Sequence, residues 1–503
     1  MKNHRKTIII SIIIVLLLLI AGGTVMLNQH QTLLQSGRKG NGEITTYPFA
    51  KGMREFKEMK VYVQDSKQTQ ALQLYSVNTN PKRNYPTDDS LLKKAAVATF
   101  DMKGKITVAV VYPKAVKSVQ VRPATADVKT KIKGKTVFFT LKKWGQYSVE
   151  MNGDSITKDL LIFANPPQEK IPASAKVIKG RVDGPLNIAQ GQTVYLAAGS
   201  VIDGPVTMAS DSKLLGRGIL TQGGPPAINV PNADHVTIDG INIFDPNDWV
   251  VQLYNSTHVA IHNLKIISCR DNSDGITIQS SQDVTIDHSF IRSWDDSIVL
   301  KNYTNTNTQN IKVTNSLIWT DLAQSMEIGF ETNKGNPLTS MKLSNVLFEN
   351  IDVLHAFHKA PISIHNADNC SISNVTFKNI ILEDAQMGVS GTHGEGGGWP
   401  YLIDFDNGNS EEMGGDASWT NNDGNRSIEN VLVEGVWVLA GEKSSCGLRL
   451  LNEDSGGKSQ MKNIQLKNIY FKKQALNFTS MINEANLAGH VSDKNSPYFS
   501  PFK

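Results

Sequence analysis

The chain is predicted to be all-β: a right-handed parallel β-helix preceded by a small β-sandwich. Two observations carry this prediction. From about Val177 a unit recurs in which a short β-branched strand, an Asn or Asp corner and a second strand follow one another. Its aligned positions Val236, Val259, Val284 and Ile311 lie 23, 25 and 27 residues apart. Periods in this range mark stacked repeats, and the two-residue alternation within each unit marks strands rather than helices. The second observation is compositional: 39 glycines, recurrent Asn-rich turns and only 7% aromatics suit many short strands with tight turns.

Taken in order, residues 1–43 read as a targeting segment and linker. Lys2, Arg5 and Lys6 precede Thr7–Leu27, an apolar run without a charge. About 20 such residues span a bilayer, so residues 7–27 are either an uncleaved membrane anchor or a cleaved signal peptide. The basic end stays inside and the bulk is exported. The location is therefore extracellular, secreted or anchored to the outer face of the membrane.

Residues 44–165 hold runs such as MKVYVQDSKQ, ITVAVVYPKA and KTVFFTLKKW, separated by turns such as Lys131-Ile-Lys-Gly-Lys. Six or seven short strands suit a β-sandwich. No acid, histidine or serine constellation occurs there, so it reads as an accessory domain that packs on the next one. Pro166 and Pro167 mark the linker. Residues 166–503 form the β-helix and carry the chemistry. Asn263, Asn315, Asn345 and Asn374 fall at its corners, where αL turns and side-chain ladders are expected.

The formal net charge is +4, without a Lys/Arg block, which excludes a nucleic-acid patch. The three cysteines, Cys269, Cys370 and Cys446, are widely spaced and fit neither a metal motif nor a disulfide framework. No cofactor or metal is implied, and a monomer is expected.

The informative stretch is Asp271–Asn302. Asp274 precedes the apolar strand Ile276-Thr-Ile, and Asp296 precedes Ile298-Val-Leu. Trp249, Asp274, Asp296 and Gln324 each stand two residues before a strand that begins at Val251, Ile276, Ile298 or Met326. If coils stack in register, Asp274 and Asp296 lie one above the other, one strand spacing of about 4.8 Å apart. Asp295 should project to another side. A packed core avoids such a cluster, because like charges repel. Catalysis uses one, because one carboxyl can stay protonated while its neighbours ionise.

These residues resemble the β-helical glycoside hydrolases of the polygalacturonase clan. That clan carries Asn-x-Asp-Gly and, some twenty residues on, Asp-Asp-x-Ile/Val-x-x-Lys. Here they are Asn272-Ser-Asp274-Gly275 and Asp295-Asp296-Ser-Ile-Val-Leu-Lys301. The resemblance covers about residues 177–480. The preceding sandwich is most similar to glycoside hydrolase family 49, dextranase and isopullulanase, with the family 28 polygalacturonases as the related branch. It implies inverting hydrolysis, with Asp295 as general acid and Asp274 and Asp296 sharing the attacking water, and a polysaccharide substrate.

Trp249, Asn272, Lys301 and Gln324 join as candidate substrate contacts; Lys301 could equally offset local negative charge. Two departures bear on the sugar. Ala323-Gln324-Ser325 stands where polygalacturonases have Gly-His-Gly. The rung Pro361-Ile-Ser-Ile-His365-Asn366 has no cation pair to grip a uronate, which a carboxylate-bearing sugar would want. Glu327, on the coil after Asp296, should repel a uronate further. A neutral, dextran-like α-glucan is therefore expected. His365, with Trp399 and Tyr401 at the end of a loop from Gly391, is placed along the cleft, as is the insertion Glu411–Arg426. The alternatives are a polygalacturonase-like pectin hydrolase, a β-helical polysaccharide lyase with calcium on the aspartates, and a non-catalytic glycan-binding surface protein.

Overall fold

The computed structural model describes residues 41–80, 88–153, 158–334, 339–387, 399–408, 425–452 and 459–476. The expected anchor or signal at residues 7–27 lies outside them, as do most of the loop from Gly391 and of the insertion from Glu411. Among the described residues no helix is long and apolar enough to cross a membrane.

The N-terminal part pairs a six-stranded sheet with a five-stranded one. Val61, Val63, Phe100, Val108, Phe139 and Ile162 pack between the sheets, fully or nearly fully buried. More strands form than the sequence suggested. Thr130–Lys133, expected as part of a turn, pairs with Thr136–Leu141. Its lysines point outward on a sheet edge, so its pattern is that of a polar loop. Gly134, at φ 61°, closes the hairpin.

The rest of the described chain is a right-handed parallel β-helix. A ten-stranded sheet forms one face, and a nineteen-stranded sheet wraps the others. A coil takes one strand of the first sheet and two of the second, as in Ile276–Gln279, Gln282–Asp287 and Phe290–Ser293. In later coils the second pair fuses into one long strand, as in Met341–Ala356. Inward residues form one apolar column per position: Val251, Ile276, Ile298, Met326 and Ile362 are register partners and wholly buried. Such a core is shared between neighbouring coils.

The corner asparagines behave as expected. Asn263, Asn315, Asn345 and Asn374 have φ between 47° and 59°. Asn374 donates to Asn345 at 3.3 Å, and Asn345 to Asn310 at 3.1 Å. All three cysteines are free and buried.

The sandwich docks on the nineteen-stranded sheet. Tyr75, Val97, Leu161 and Phe163 pack against Phe244, Ile267, Phe290 and Trp319. Buried ion pairs cross the seam: Arg217–Asp101 at 3.0 Å, Arg292–Asp159 at 3.2 Å and Arg122–Glu383 at 2.7 Å. This leaves the outward face of the ten-stranded sheet uncovered by the sandwich.

Candidate active site

The candidate site lies on that outward face and along its edge. A single ladder of backbone bonds sets its register. Val250 N–H donates to the Asp274 carbonyl at 3.0 Å, Gly275 to Asp296 at 2.8 Å and Ser297 to Gln324 at 2.9 Å. Trp249, Asp274, Asp296 and Gln324 thus occupy the same position on four successive coils. The close stacking explains the glycine that follows Asp274. A Cβ on Gly275 would run into the Ser297 carbonyl and the Ile291 side chain.

Asp274 and Asp296 are almost fully buried, at 4% and 5% exposure, whereas Asp295 is half-buried and reaches furthest towards solvent. Asp274 accepts from the Thr277 hydroxyl at 3.3 Å. Asp296 accepts from the Gln324 N–H at 2.9 Å, and Asp295 from the Asp296 N–H at 2.9 Å. Burial is the main reason all three carboxyls rise above the ordinary aspartate range. Asp295 adds repulsion to both others and, with burial, helps push Asp296 up to about 8.

The cause differs from the expectation in one respect. Repulsion within the cluster would raise Asp295 through its two anionic neighbours. Burial raises it instead, and Lys359 is the main charge that pulls it back down.

Lys301 ends the strand Ile298–Lys301. Its ammonium lies 2.9 Å from Glu331, 3.9 Å from Asp274 and 5.7 Å from the centre of the half-buried Trp249 ring. Burial works against its charge, but Glu331 and Asp274 hold it well above the usual lysine range. Tyr303 donates to Glu331 at 2.8 Å and completes this corner.

On the next coils a buried charge relay runs beside the aspartates. Glu327 is fully buried; it accepts from the Ser363 hydroxyl and lies 2.7 Å from His365 Nδ1. His365 Nε2 is 3.4 Å from Asp404, which Arg449 grips through Nε at 2.5 Å and Nη2 at 2.9 Å. Burial disfavours the imidazolium, but Glu327 and Asp404 outweigh it and raise the His365 pKa to about 10. Gly329 makes room here, because any Cβ there would collide with the His365 carbonyl. The Arg449 guanidinium stands 4.9 Å from the Trp399 ring and 5.5 Å from that of Tyr401. Gln324, Phe330, Lys359, His365, Trp399 and Arg449 line one recess.

The structure therefore gathers Trp249, Asp274, Asp295, Asp296, Lys301 and Gln324 at one end, and Glu327, His365, Trp399 and Tyr401 beside them. Three expectations stand differently in the structure's detail. Glu327 is not presented to a sugar, since Ser363 and His365 take up its carboxylate. Asn272 is an exposed turn residue at φ 52°, unlike the buried carboxylates that follow it. The rung at Pro361–Asn366 itself brings no cation pair, but Lys359 and Arg449 reach the same recess from flanking positions.

Lys359 belongs to the segment Phe357-His358-Lys359, which the sequence places along the cleft; sequence reasoning missed Glu331, Tyr303, Asp404 and Arg449. The one signal for the last two was their place between core residues: Asp404 lies between Ile403 and Phe405, and Arg449 between Leu448 and Leu450, and the two are register partners. Elsewhere among the described residues, Asp234, His235 and His258 bring potential ligand atoms within 4.8 Å of one another on the corner ladder. Asp234 already pairs with both rings, at 2.9 and 2.8 Å.

Clustered carboxylates beside a recess on the outward face of a parallel β-helix suit the cleavage of a glycan. Residues 171–390, a little under half of the chain, match the family described as glycosyl hydrolases family 28, and the protein is a glycoside hydrolase built on a β-helix. No curated protein sequence matches the chain. Among solved structures, Dex49A from Penicillium minioluteum is 14% identical, with a TM-score of 0.50, covering 90% of this chain and 95% of that one. The family 28 exopolygalacturonase of Yersinia enterocolitica is 11% identical, with a TM-score of 0.38, covering 80% and 96%. A polygalacturonase from Erwinia carotovora ssp. carotovora is 16% identical, with a TM-score of 0.32, covering 60% and 86%.

Proposed function

We propose that the protein is an inverting hydrolase of α-glycosidic bonds in a neutral extracellular polysaccharide, a dextran-like α-glucan in the first instance. The observation that carries this is the ladder position shared by Asp274 and Asp296, with the more exposed Asp295 beside them. Asp295 is the general acid, because it reaches furthest out of the sheet towards a leaving oxygen. Asp274 and Asp296, one coil step apart, hold the attacking water between them. Inversion needs the acid and base on opposite sides of the sugar, with space for that water.

The three carboxyls titrate as one set. The productive state has the proton on Asp295 and negative charge on the Asp274–Asp296 pair. Lys301, on the pair's side, favours that state. Lys359 opposes it by stabilising the Asp295 anion. A sugar seated between Lys359 and Asp295 weakens that pull, so substrate binding itself moves the proton onto the acid. Lys301 stays charged between Glu331 and Asp274, which removes it as the neutral base a lyase requires. Trp249, Trp399 and Tyr401 offer ring faces to sugars.

The test is reducing-sugar release from dextran, with the first-formed anomer read by NMR. In Asp295→Asn, polysaccharide cleavage is lost, while a glycosyl fluoride, which needs no protonation, is still hydrolysed. Asp274→Asn and Asp296→Asn lose both activities. Net retention of configuration, or full activity in Asp295→Asn, overturns the assignment.

Lys359 and Arg449 in the recess favour a second reading, a polygalacturonase-like pectin hydrolase. Arg449 is already neutralised by Asp404 and by Asp406 at 3.6 Å, which leaves Lys359 as the cation a uronate would meet. Release of sugar from polygalacturonate and not from dextran selects that reading.

A further inference from the structure

We infer that the protein carries a second, non-catalytic groove that binds a neutral glycan chain where the sandwich meets the nineteen-stranded sheet. A cavity of about 390 Å³ opens there, within the range of sites that take small ligands. Its floor is one outward-facing column of successive register partners, Leu317, Asp352, Ile381 and Trp437, which continues past the cavity to Tyr470. The sandwich buries this column as far as Leu317. Beyond it the column emerges, and Trp437 is 37% exposed.

Both sides offer flat rings. Trp437 lies parallel to Tyr470, with centroids 6.5 Å apart and planes 7° apart. Its ring spreads over Gly435, at φ 71°, where a Cβ would sit 2.9 Å from the indole. On the sandwich wall the half-buried Trp144 leans on His288 at 5.0 Å. Between the rings stand polar groups suited to hydroxyls: the Asn379 amide, the Lys143 ammonium and the Asp352 carboxylate, which Thr125 fixes at 2.7 Å.

One cation and one anion leave the named polar groups without net charge. Ring faces interleaved with amides and a balanced charge suit an uncharged sugar chain. A polyanion would need a cluster of cations, where Lys143 stands alone in the lining. The groove lies on a different sheet from the aspartates, so a strand held here is not the segment being cut. Its role is to keep the polymer on the enzyme between cleavage events. It follows from glycan hydrolysis alone and does not depend on which aspartate is the acid.

The test uses the full chain with Asp295→Ala, so that polymer is not consumed, in native gels containing dextran, pullulan or starch. Retention by at least one polymer is expected. Adding Trp437→Ala and Trp144→Ala should weaken it about tenfold, the size expected for losing two stacking contacts. Trp437→Phe should retain most of it. In the otherwise unmodified enzyme the two tryptophan changes should raise KM for polymer and leave the rate on a short oligosaccharide unchanged. Equal retention with and without the tryptophans overturns the proposal, as does absence of retention on all three polymers. A change in sedimentation without a change in retention also overturns it and makes the face a protein contact.

Discussion

The seam between sandwich and β-helix and the aspartate groove both bury charge, but they settle it differently. At the seam Asp101, Asp159, Glu150 and Glu383 each meet an arginine. Arg292, wholly buried, bridges Asp159 and Asp321 at 3.2 Å each, and Arg122 bridges Glu150 and Glu383 at 2.9 and 2.7 Å. In the groove three aspartates share one cation within salt-bridge reach among the described residues, Lys301, at 3.9 Å from Asp274. Lys301 is itself held more closely by Glu331. Paired charges fix how two modules sit together. Burial raises acids in both places, Asp159 to about 7 and Asp296 to about 8, but only the aspartate cluster has a member, Asp295, open towards solvent, where on the proposed reading it meets a substrate.

Breaking the groove should have the largest effect. Asp295→Ala is expected to lower kcat on polysaccharide by about 10²–10⁴-fold, the usual contribution of a positioned acid, with near-UV circular dichroism unchanged. Breaking the seam should act on stability instead. Arg292→Ala leaves Asp159 and Asp321 buried without their partner, at a cost of about 3–5 kcal/mol, measured by urea unfolding. A fall in kcat on the native fraction of that variant would dissolve the contrast.

Glu331→Gln sharpens it further. Lys301 then turns towards Asp274, the Asp274 carboxyl ionises more readily, and the acidic limb of the kcat/KM profile moves to lower pH. The change in rate at the optimum should be modest, about tenfold or less.

The smallest effect is a slope of stability with pH. Asp296 is raised to about 8 and Asp159 to about 7, in both mainly by burial, against an unfolded value of about 4. Each binds its proton more tightly when folded. The stability it contributes is complete below pH ~4 and is lost as pH rises to the folded value. The melting temperature should therefore fall from pH ~4 to ~8, and less steeply in Asp296→Asn.

Much of this was legible in the chain. The interval between Val236, Val259 and Val284 gave the coil, and the offset of Asp274 and Asp296 from Ile276 and Ile298 gave their shared position. Periodicity reports what points inward, and that is why it worked. It is silent on which outward charges on distant coils meet. Lys359 and Arg449 lie far apart in sequence yet line one recess, and Glu327 looked exposed by alternation although His365 and Ser363 cover it. The partners of Lys301 were hidden for the same reason: Glu331 follows a strand on the next coil, and its distance along the chain carries no period of its own. The seam was equally unreadable, because Asp159 and Arg292 belong to modules with unrelated rhythms.

The missing Cβ at Gly275 has a consequence for how such a protein can change. Because the backbone there touches the coil above it, the height between Asp274 and Asp296 is a constant of the winding, insensitive to whatever side chains surround it. Corner loops can lengthen, shorten or be exchanged, and the acids stay the same distance apart. On the proposed reading, the choice of sugar can change at the rim without moving Asp274 against Asp296.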